Sequence, residues 1–146
     1  MNYLLDTNVV SEIRKPDCDP NVRHFVDSRD QRAFFLSAIS IGEISYGVER
    51  LPPGEKKIRL THFLDIQIPG WFRDRIIPVD GEIMREWGRI CAGTGRPLPH
   101  FDSLIAATAL ARSLAVLTRN TRDFEDIEGI LLFNPWDPSN QDQRIK

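Results

Sequence analysis

The sequence predicts an α/β fold: one domain with a central, mostly parallel sheet of about five strands, flanked by helices on both faces. Short apolar segments recur along the 146 residues and alternate with segments of helical periodicity. This alternation is typical of parallel strands joined by crossover helices. No internal repeat or linker divides the chain, and its length provides one hydrophobic core. We therefore expect one domain over residues 1–136 and a polar C-terminal tail over residues 137–146.

The individual elements follow from apolar spacing and from prolines. Five short apolar segments are strand candidates: 3–5, 33–36, 75–79, 115–117 and 130–133. Helical spacing of apolar residues, or a high alanine content, predicts helices over 9–15, 21–28, 41–51, 55–67, 82–91 and 101–113. Pro16 ends the first helix, and Pro20 suits the first turn of the second. The alanine-rich helix over 101–113 should be the most buried.

Composition excludes several classes of protein. Hydrophobic residues make up 41% and charged residues 27% of the chain, which is typical of a globular domain. The net charge of −2 gives no overall basic signature for nucleic acid, and Cys18 and Cys91 lack the spacing of a zinc site. No apolar segment is long enough to span a bilayer, and the start lacks the basic region of a signal peptide. We expect a cytoplasmic protein without membrane association.

Four acidic residues stand at joints between predicted strands and helices: Asp6, Glu43, Asp102 and Asp123. The carboxyl ends of parallel strands share one edge of the sheet, where α/β proteins place their ligands. Gathered there, each close pair of carboxylates would repel by on the order of 4 kcal/mol at an effective dielectric constant of about 20. A hard divalent cation would neutralise them, and Mg²⁺ or Mn²⁺ suits oxygen ligands.

Each acid also has a simpler structural interpretation. Asp6 is suited to cap the helix that follows it, and Ser40 with Glu43 fits the S-x-x-E capping box. Asp102 would lie in a first helical turn, where the helix dipole stabilises negative charge, and Asp123 could cap a turn. Both interpretations stay open for single residues, and the joint pattern favours the metal site.

Polar residues adjoin these acids and could orient water or hold the carboxylates in place. They are Thr7, Asn8, Thr118 and Asn120. Hydroxyls and amides next to metal-binding carboxylates commonly do this, although ordinary turn chemistry would account for the same residues.

Four segments carry a resemblance to a known family. Residues 4–12, 40–47, 101–109 and 117–124 resemble PIN-domain proteins and, more narrowly, the ribonuclease toxins of VapBC-type toxin–antitoxin pairs. The closing segment 132–136 is similar to the branch that includes the FitB proteins. The resemblance spans nearly the whole chain, with its motifs in order and at typical spacing.

The resemblance implies a parallel sheet between layers of helices and an acidic pocket that binds Mg²⁺ or Mn²⁺. It implies a metal-dependent endoribonuclease, the toxin of a type II toxin–antitoxin system, which leaves 5′-phosphate and 3′-hydroxyl ends. Asp6, Glu43 and Asp102 match the three regular acids of the family. Many relatives have their fourth acid where this chain has Asn120, whereas the FitB-like branch has Asn there and an acid at the position of Asp123, so Asp123 is expected to be the fourth. Thr7 and Thr118 match hydroxyl positions near the metal.

RNA and protein partners follow from the same resemblance. Arginines near the acids in sequence are candidates for phosphate contacts: Arg14, Arg50, Arg96, Arg119 and Arg122. The family implies a homodimer, or a dimer of heterodimers with a small antitoxin that carries a DNA-binding domain. Six apolar residues could provide the antitoxin surface or belong to the core: Ile44, Tyr46, Leu51, Phe63, Trp71 and Phe72.

Two other functions compete with the nuclease. The first is a catalytically silent PIN-fold module that binds RNA or protein, against which the full set of four acids argues. The second is a phosphatase of the haloacid-dehalogenase type, whose D-x-D signature the segment Asp6-Thr7-Asn8 approaches. Asn8 stands where that signature has its second Asp, which argues against the phosphatase.

Overall fold

Five parallel strands form one sheet in the computed structural model, which describes residues 1–140. The strands are β1 (Tyr3–Leu5), β2 (Phe34–Ser37), β3 (Ile76–Ile77), β4 (Ala115–Leu117) and β5 (Leu132–Phe133). Their order in the sheet is β3-β2-β1-β4-β5, so the first strand of the chain lies at the centre. All four neighbouring pairs are parallel, which confirms the predicted α/β architecture.

Helices connect the strands. They are α1 (Thr7–Ile13), α2 (Pro20–Asp27), α3 (Ala38–Glu49), α4 (Glu55–His62), α5 (Ile68–Phe72), α6 (Gly81–Gly93) and α7 (His100–Arg112). Of the predicted tail, residues 137–140 follow β5 and residues 141–146 lie outside the described residues. No helix within residues 1–140 has both the length and the apolar character needed to cross a membrane.

The outer strands are shorter than the sequence predicts. β3 has the two residues Ile76–Ile77 and β5 the two residues Leu132–Phe133, although the apolar segments around them are longer. These strands each pair with one neighbour only, whereas β1 is paired on both sides. At both outer strands the apolar segment of the sequence is longer than the part that is hydrogen-bonded to the sheet.

Side-chain caps decide where α1 and α3 begin. The Asp6 carboxylate accepts a hydrogen bond from the Thr7 N–H at 2.8 Å, so α1 starts ahead of the predicted position. In the same way the Ser37 hydroxyl accepts from the N–H of Ile39 at 3.0 Å, and α3 starts at Ala38. The capping box that starts at Ser40 is therefore wrong, because Ser40 already lies inside the helix.

The predicted helix over 55–67 is wrong at its C-terminal end. α4 ends at His62, a wide π-helical turn follows over Phe63–Gln67, and α5 continues to Phe72. Pro69 lies in the first turn of α5. Proline has no N–H to donate and its ring clashes with the carbonyl four residues earlier, so regular helix cannot run through this position. Phe72, the last residue of α5, is buried in the core.

The core lies on both faces of the sheet, as expected for a parallel sheet covered by helices. Alternate residues of β1 point to opposite faces: Tyr3 and Leu5 pack in one apolar cluster, and Leu4 packs in the other. The second cluster includes Ile105 and three buried alanines of α7. The prediction that this helix is deeply buried is confirmed, because small side chains let it approach the sheet closely.

Replacing one central core residue should show how much this packing contributes. Leu36 is fully buried, and Leu36→Ala should lower the free energy of unfolding by about 2–5 kcal/mol through lost apolar burial and the remaining cavity. Urea unfolding measures this change. Ile58 is 71% exposed, so Ile58→Ala should change the free energy by less than about 0.5 kcal/mol. Similar losses in both variants would contradict the described packing.

Candidate metal centre

Asp6 lies at the carboxyl end of the central strand and is only 5% exposed. One of its oxygens, Oδ1, caps α1 through the Thr7 N–H. The other, Oδ2, accepts a hydrogen bond from Thr118 Oγ1 at 2.8 Å and one from Asn8 Nδ2 at 3.4 Å. The capping interpretation of this residue is thus correct and incomplete, because the carboxylate also joins the end of β1 to the residue that follows β4.

Glu43 reaches the same edge from α3. Its Oε1 accepts a hydrogen bond from Thr7 Oγ1 at 2.8 Å. Thr7 Oγ1 lies 2.8 Å from Ser40 Oγ as well. Because a hydroxyl has one proton, Thr7 donates to Glu43 and accepts from Ser40. The buried Ser40 therefore supports the Glu43 carboxylate indirectly, through Thr7. This role could not be predicted from the sequence, where Ser40 is interpreted as a helix cap.

Asp102 and Asp123 complete the acidic group. Asp102 is half-buried in the first turn of α7, whose N-terminus follows Pro99 and has no side-chain cap. Asp123 ends a short 3₁₀ turn over Thr121–Asp123. Within residues 1–140 no backbone N–H of that turn donates a hydrogen bond to the Asp123 carboxylate, so Asp123 does not cap it.

Electrostatic coupling shows that these four carboxyls share one neighbourhood. Burial, followed by the charges of Asp6, Asp123 and Glu43, raises the pKa of Asp102 to about 6. Burial also raises the pKa of Asp6 against the hydrogen bonds from Thr118 and Thr7, and Asp123 raises it further. The pKa of Glu43 is raised by burial and by Asp6, against the hydrogen bond from Thr7. We call this group of Asp6, Glu43, Asp102 and Asp123 the acidic pocket.

The donor set of the acidic pocket fits a hard cation. All of its donors are carboxylate oxygens, and their mutual repulsion is what a divalent charge would relieve. Within residues 1–140 no three His, Cys, Asp or Glu side chains are placed to hold an ion by themselves. Mg²⁺ needs fewer, because it keeps several waters and is ordinarily bound by one or two carboxylates plus substrate phosphates. The arrangement therefore suits a hydrated cation rather than a closed cage.

The neighbouring polar residues lie at different depths. Thr118 is buried and contacts Asp6, and Asn8 contacts Asp6 at the surface of the pocket. Asn120 is exposed, and its backbone N–H donates to Thr118 Oγ1 at 3.0 Å. Among the described residues the Asn120 side chain makes no hydrogen bond to an acid, so its link to the pocket runs through its backbone.

The arginines predicted to contact RNA differ in how they are held. Arg96 forms an ion pair with Asp126 at 2.6 Å and donates to the carbonyl of the exposed Arg122 at 3.3 Å. Arg119 lies over the ring of Trp136, with its guanidinium carbon 5.0 Å from the ring centroid. A charge already paired with a carboxylate is less available to a phosphate than a charge supported by a ring.

Arg14 and Arg50 are also seated on aromatic rings. The guanidinium of Arg14 lies 5.8 Å from the ring centroid of Phe63. The guanidinium of Arg50 lies 5.4 Å from that of Tyr46 and donates to its hydroxyl at 2.8 Å. Tyr46 follows Glu43 by three residues on α3 and Arg50 caps the C-terminal end of that helix, so the pair lies on the C-terminal side of Glu43.

The apolar residues considered for an antitoxin surface are divided between core and surface. Phe63 and Phe72 are buried in the core, which is the second of the two interpretations that the sequence left open for them. Tyr46 is 64% exposed. The remaining residues are partly buried: Ile44, Leu51 and Trp71.

Fold and pocket together define a class of protein. Carboxylates gathered at the strand ends of a parallel sheet are typical of hydrolases that work with a metal ion. The family follows from comparison with known proteins. Residues 3–130 match the family model of the PIN domain. The chain belongs to the PIN-domain family, and VapC nucleases of this family are metal-dependent.

Curated relatives are similar over nearly their whole length. The chain is 37% identical over 136 residues to Toxin FitB of Neisseria gonorrhoeae, covering 91% of this chain and 97% of that protein. It is 32% identical over 139 residues to VapC ribonuclease Y4jK of Sinorhizobium fredii, covering 93% and 99% respectively. These relatives place the chain among the VapC- and FitB-type toxins.

Solved structures agree with this placement. The chain superposes on FitAcB from Neisseria gonorrhoeae with a TM-score of 0.82 at 36% identity, covering 92% of this chain and 98% of that one. It superposes on the structure of FitAB bound to an IR36 DNA fragment with a TM-score of 0.83 at 35% identity, covering 92% and 96%. Both neighbours are toxin–antitoxin assemblies.

The raised pKa of Asp102 makes the stability of the metal-free protein depend on pH. A carboxyl whose pKa is higher in the folded state stabilises the fold below its unfolded value of 3.8 and loses this contribution as the pH rises through about 6. Asp102→Asn should remove the loss, so that the variant is more stable than the parent by on the order of 1 kcal/mol near about pH 7.

Urea unfolding in EDTA across this pH window measures the difference. The exposed Asp74→Asn, near the opposite edge of the sheet, is the matched control and should follow the parent at every pH. Parallel curves for the parent and Asp102→Asn would contradict the electrostatic coupling of the pocket.

Proposed function

We propose that this chain is a Mg²⁺- or Mn²⁺-dependent endoribonuclease, the toxin of a type II toxin–antitoxin system. It hydrolyses RNA phosphodiesters to 5′-phosphate and 3′-hydroxyl ends. The observation that carries this proposal is the gathering of four carboxyls in one pocket, where burial and then the charges of the other three acids raise the pKa of Asp102 to about 6. Family membership supports it, because relatives that match nearly the whole chain are named ribonucleases.

In this proposal Asp6, Glu43, Asp102 and Asp123 are the catalytic acids and hold the cation. When bound, a divalent cation neutralises charge on the phosphate and lowers the pKa of the attacking water. One of the carboxylates accepts the proton of that water.

Hydrogen bonds support this arrangement. Thr118 fixes the orientation of Asp6, and Thr7 fixes that of Glu43. Asn8 adds a second donor to Asp6, and Asn120 supports Thr118 through its backbone. These hydrogen bonds restrict the side-chain rotamers of Asp6 and Glu43, so these two carboxylates are preorganised for binding.

Phosphates flanking the scissile bond would meet arginines around the pocket. The candidates remain Arg14, Arg50, Arg96, Arg119 and Arg122. Arg14, Arg50 and Arg119 have the strongest structural support, since they lie on aromatic rings and form no ion pair within residues 1–140. A ring of positive charge around an acidic centre also explains how a chain with a net charge of −2 can attract RNA.

Partner proteins follow from the relatives. Their solved structures are toxin–antitoxin assemblies, some of them bound to DNA. We infer that this chain likewise pairs with a small antitoxin that has a DNA-binding domain. We also infer that it forms a homodimer or a dimer of heterodimers with the antitoxin. Its expected location is the cytoplasm. The exposed Tyr46 on α3 would be available to such a partner.

A catalytically silent module that binds RNA or protein is the main alternative. Four mutually repelling carboxylates weaken attraction to RNA when no cation is present, so a pure binding module gains nothing from them. The family match favours the nuclease over a phosphatase of the haloacid-dehalogenase type.

Neutralising single acids should abolish cleavage while leaving the fold intact. Asp6→Asn and Asp102→Asn should each reduce RNA cleavage at least about 100-fold, because the cation loses a charged ligand. The measurement uses total cellular RNA with Mg²⁺, with Mn²⁺ and with EDTA, and maps the ends of the products.

Asp74→Asn controls for the loss of a negative charge elsewhere and should cleave like the parent. Metal-dependent products with 5′-phosphates, lost in the two pocket variants, support the proposal. Partner-free protein that binds RNA in the presence of Mg²⁺ without cutting it would instead establish the silent module.

The proposed domain boundary can be tested by truncation. We infer that residues 1–136 form the nuclease domain and 137–146 a tail. The described part of the tail contributes one backbone hydrogen bond back to the domain, from the Asp137 N–H to the Asn134 carbonyl at 3.0 Å. A chain that ends at Trp136 should therefore keep its cleavage activity and unfold within about 1 kcal/mol of the full chain. Loss of cooperative urea unfolding would move the boundary beyond Trp136.

A further inference from the structure

Arg119 lies between the acidic pocket and an aromatic side chain. Its backbone N–H donates to Asn8 Oδ1 at 3.4 Å, and the amide nitrogen of Asn8 lies 3.4 Å from Asp6 Oδ2. Its guanidinium, however, lies over the ring of Trp136. The backbone of Arg119 is thus next to the acids while its charge is directed to an indole.

The guanidinium forms no ion pair with any acid within residues 1–140. The influences on the pKa values of Asp6, Glu43 and Asp102 are burial, neighbouring acids and hydrogen bonds from hydroxyl and backbone groups, with no arginine among them. Elsewhere in the chain arginines do pair with acids, as Arg112 does with Asp80 and Glu82. The separation of Arg119 from the nearby carboxylates therefore needs a physical reason.

Trp136 provides that reason. A guanidinium over an indole face gains about 0.5–1 kcal/mol at an exposed site and more when water is excluded. An ion pair in the pocket would instead require the guanidinium to lose water beside buried or half-buried acids, and this desolvation offsets part of the Coulombic gain. The ring can therefore hold the side chain outside the pocket while its donors remain directed to solvent, since Arg119 is exposed.

The position of the ring is itself well defined. β4 and β5 are neighbours, and the Thr118 N–H donates to the Phe133 carbonyl at 2.9 Å, which extends their pairing up to Arg119. Asn134 Oδ1 accepts from the Trp136 N–H at 3.0 Å, and Asn21 Nδ2 of α2 donates to the Trp136 carbonyl at 3.0 Å. The Asn-Pro-Trp segment thus builds a fixed platform beside the end of β4.

We propose that Arg119, seated on Trp136, binds an RNA phosphate next to the scissile one, and that Trp136 is a positioning residue that keeps this guanidinium out of the acidic pocket. This inference rests on the proposed ribonuclease function and adds to it a specific binding subsite. A planar guanidinium suits a phosphate because it offers parallel donors in a fixed geometry.

Salt dependence of RNA binding tests the role of Arg119. For single strands, each phosphate neutralised contributes about −0.7 to the slope of log affinity against log salt concentration. In an Asp6→Asn background, which should not cut, Arg119→Ala should weaken binding of a short labelled single-stranded RNA about tenfold at low salt and reduce the slope by about 0.7. Fluorescence anisotropy in Mg²⁺ buffer measures both.

Arg32→Ala is the matched control. Arg32 lies just before β2, at the opposite edge of the sheet, and pairs with Asp30. Its removal takes away the same charge and should leave the slope and the affinity unchanged. An equal loss for Arg32→Ala and Arg119→Ala would overturn the proposal, because overall charge would then explain the binding.

Trp136 variants separate positioning from general stability. Trp136→Leu should weaken binding about threefold when Arg119 is present and not at all in the Arg119→Ala background. Trp136→Phe keeps an aromatic face and should restore most of the affinity. A loss of the same size in both backgrounds would overturn the positioning role, and urea unfolding shows whether each variant is folded.

The outcomes distinguish this subsite from the proposed function. Cleavage by the parent protein, lost in Asp6→Asn, supports the ribonuclease whatever Arg119 does. An unchanged salt slope in Arg119→Ala would then overturn only the subsite. RNA binding that depends on Arg119, without cleavage by the parent, would overturn the nuclease and leave Arg119 as an RNA-phosphate contact without a scissile neighbour.

Discussion

The parallel pairing of β1 with both of its neighbours is the constraint on which the rest of the structure depends. Leu5 lies opposite Leu36 of β2 and Leu117 of β4, so the three strands end within one residue of one another. Everything that follows these strands, Asp6, the start of α3 and Thr118, is thereby brought to one edge. A shift of one residue in either pairing would turn the core side chains to the wrong face and separate the acids.

This edge combines order with electrostatic repulsion. Asp6 is buried, and two hydrogen bonds to its oxygens lower its pKa while burial raises it. The hydrogen bonds from Thr7 and Thr118 keep the carboxylates in place, although the charges repel one another. Local repulsion of this kind is typical of functional sites, where the surrounding fold holds groups that would otherwise separate. The apolar clusters on both faces of the sheet provide that support.

Much of the fold could be predicted from the sequence because its signals are local. The alternation of strands and helices, β1 and β4 to the residue, and the burial of the alanine-rich α7 all follow from apolar patterning. The starts of α1 and α3 were harder, because several polar residues compete as caps and only the structure shows that Ser37 rather than Ser40 is used. The change to π-helical geometry over Phe63–Gln67 was not predicted, because apolar spacing indicates a helix but not its hydrogen-bonding pattern.

Site residues divide along the same line. The four acids could be predicted as site residues from their positions at the joints between strands and helices. The contacts that hold the site together could not be predicted in this way. The bond from Thr7 to Glu43, its support by Ser40 and the stacking of Arg119 on Trp136 all join residues far apart in sequence. No periodicity encodes such contacts. Only the Asn-Pro-Trp segment gave a hint, as part of a family resemblance whose physical role was not apparent from the sequence.

The strand order also governs how the protein is made. Of the five strands the central one is made before the others, yet β4, which closes its second side, follows β2 and β3 along the chain and pairs Ala115 with Tyr3. Contacts so distant in sequence slow folding, and the sheet cannot close on this side before β4 has been made. An unfinished chain lacks β4, Thr118 and Asp123, and therefore lacks both its sheet partner and part of its acidic pocket. The four acids can therefore come together only after β4 and the turn that carries Asp123 have been made.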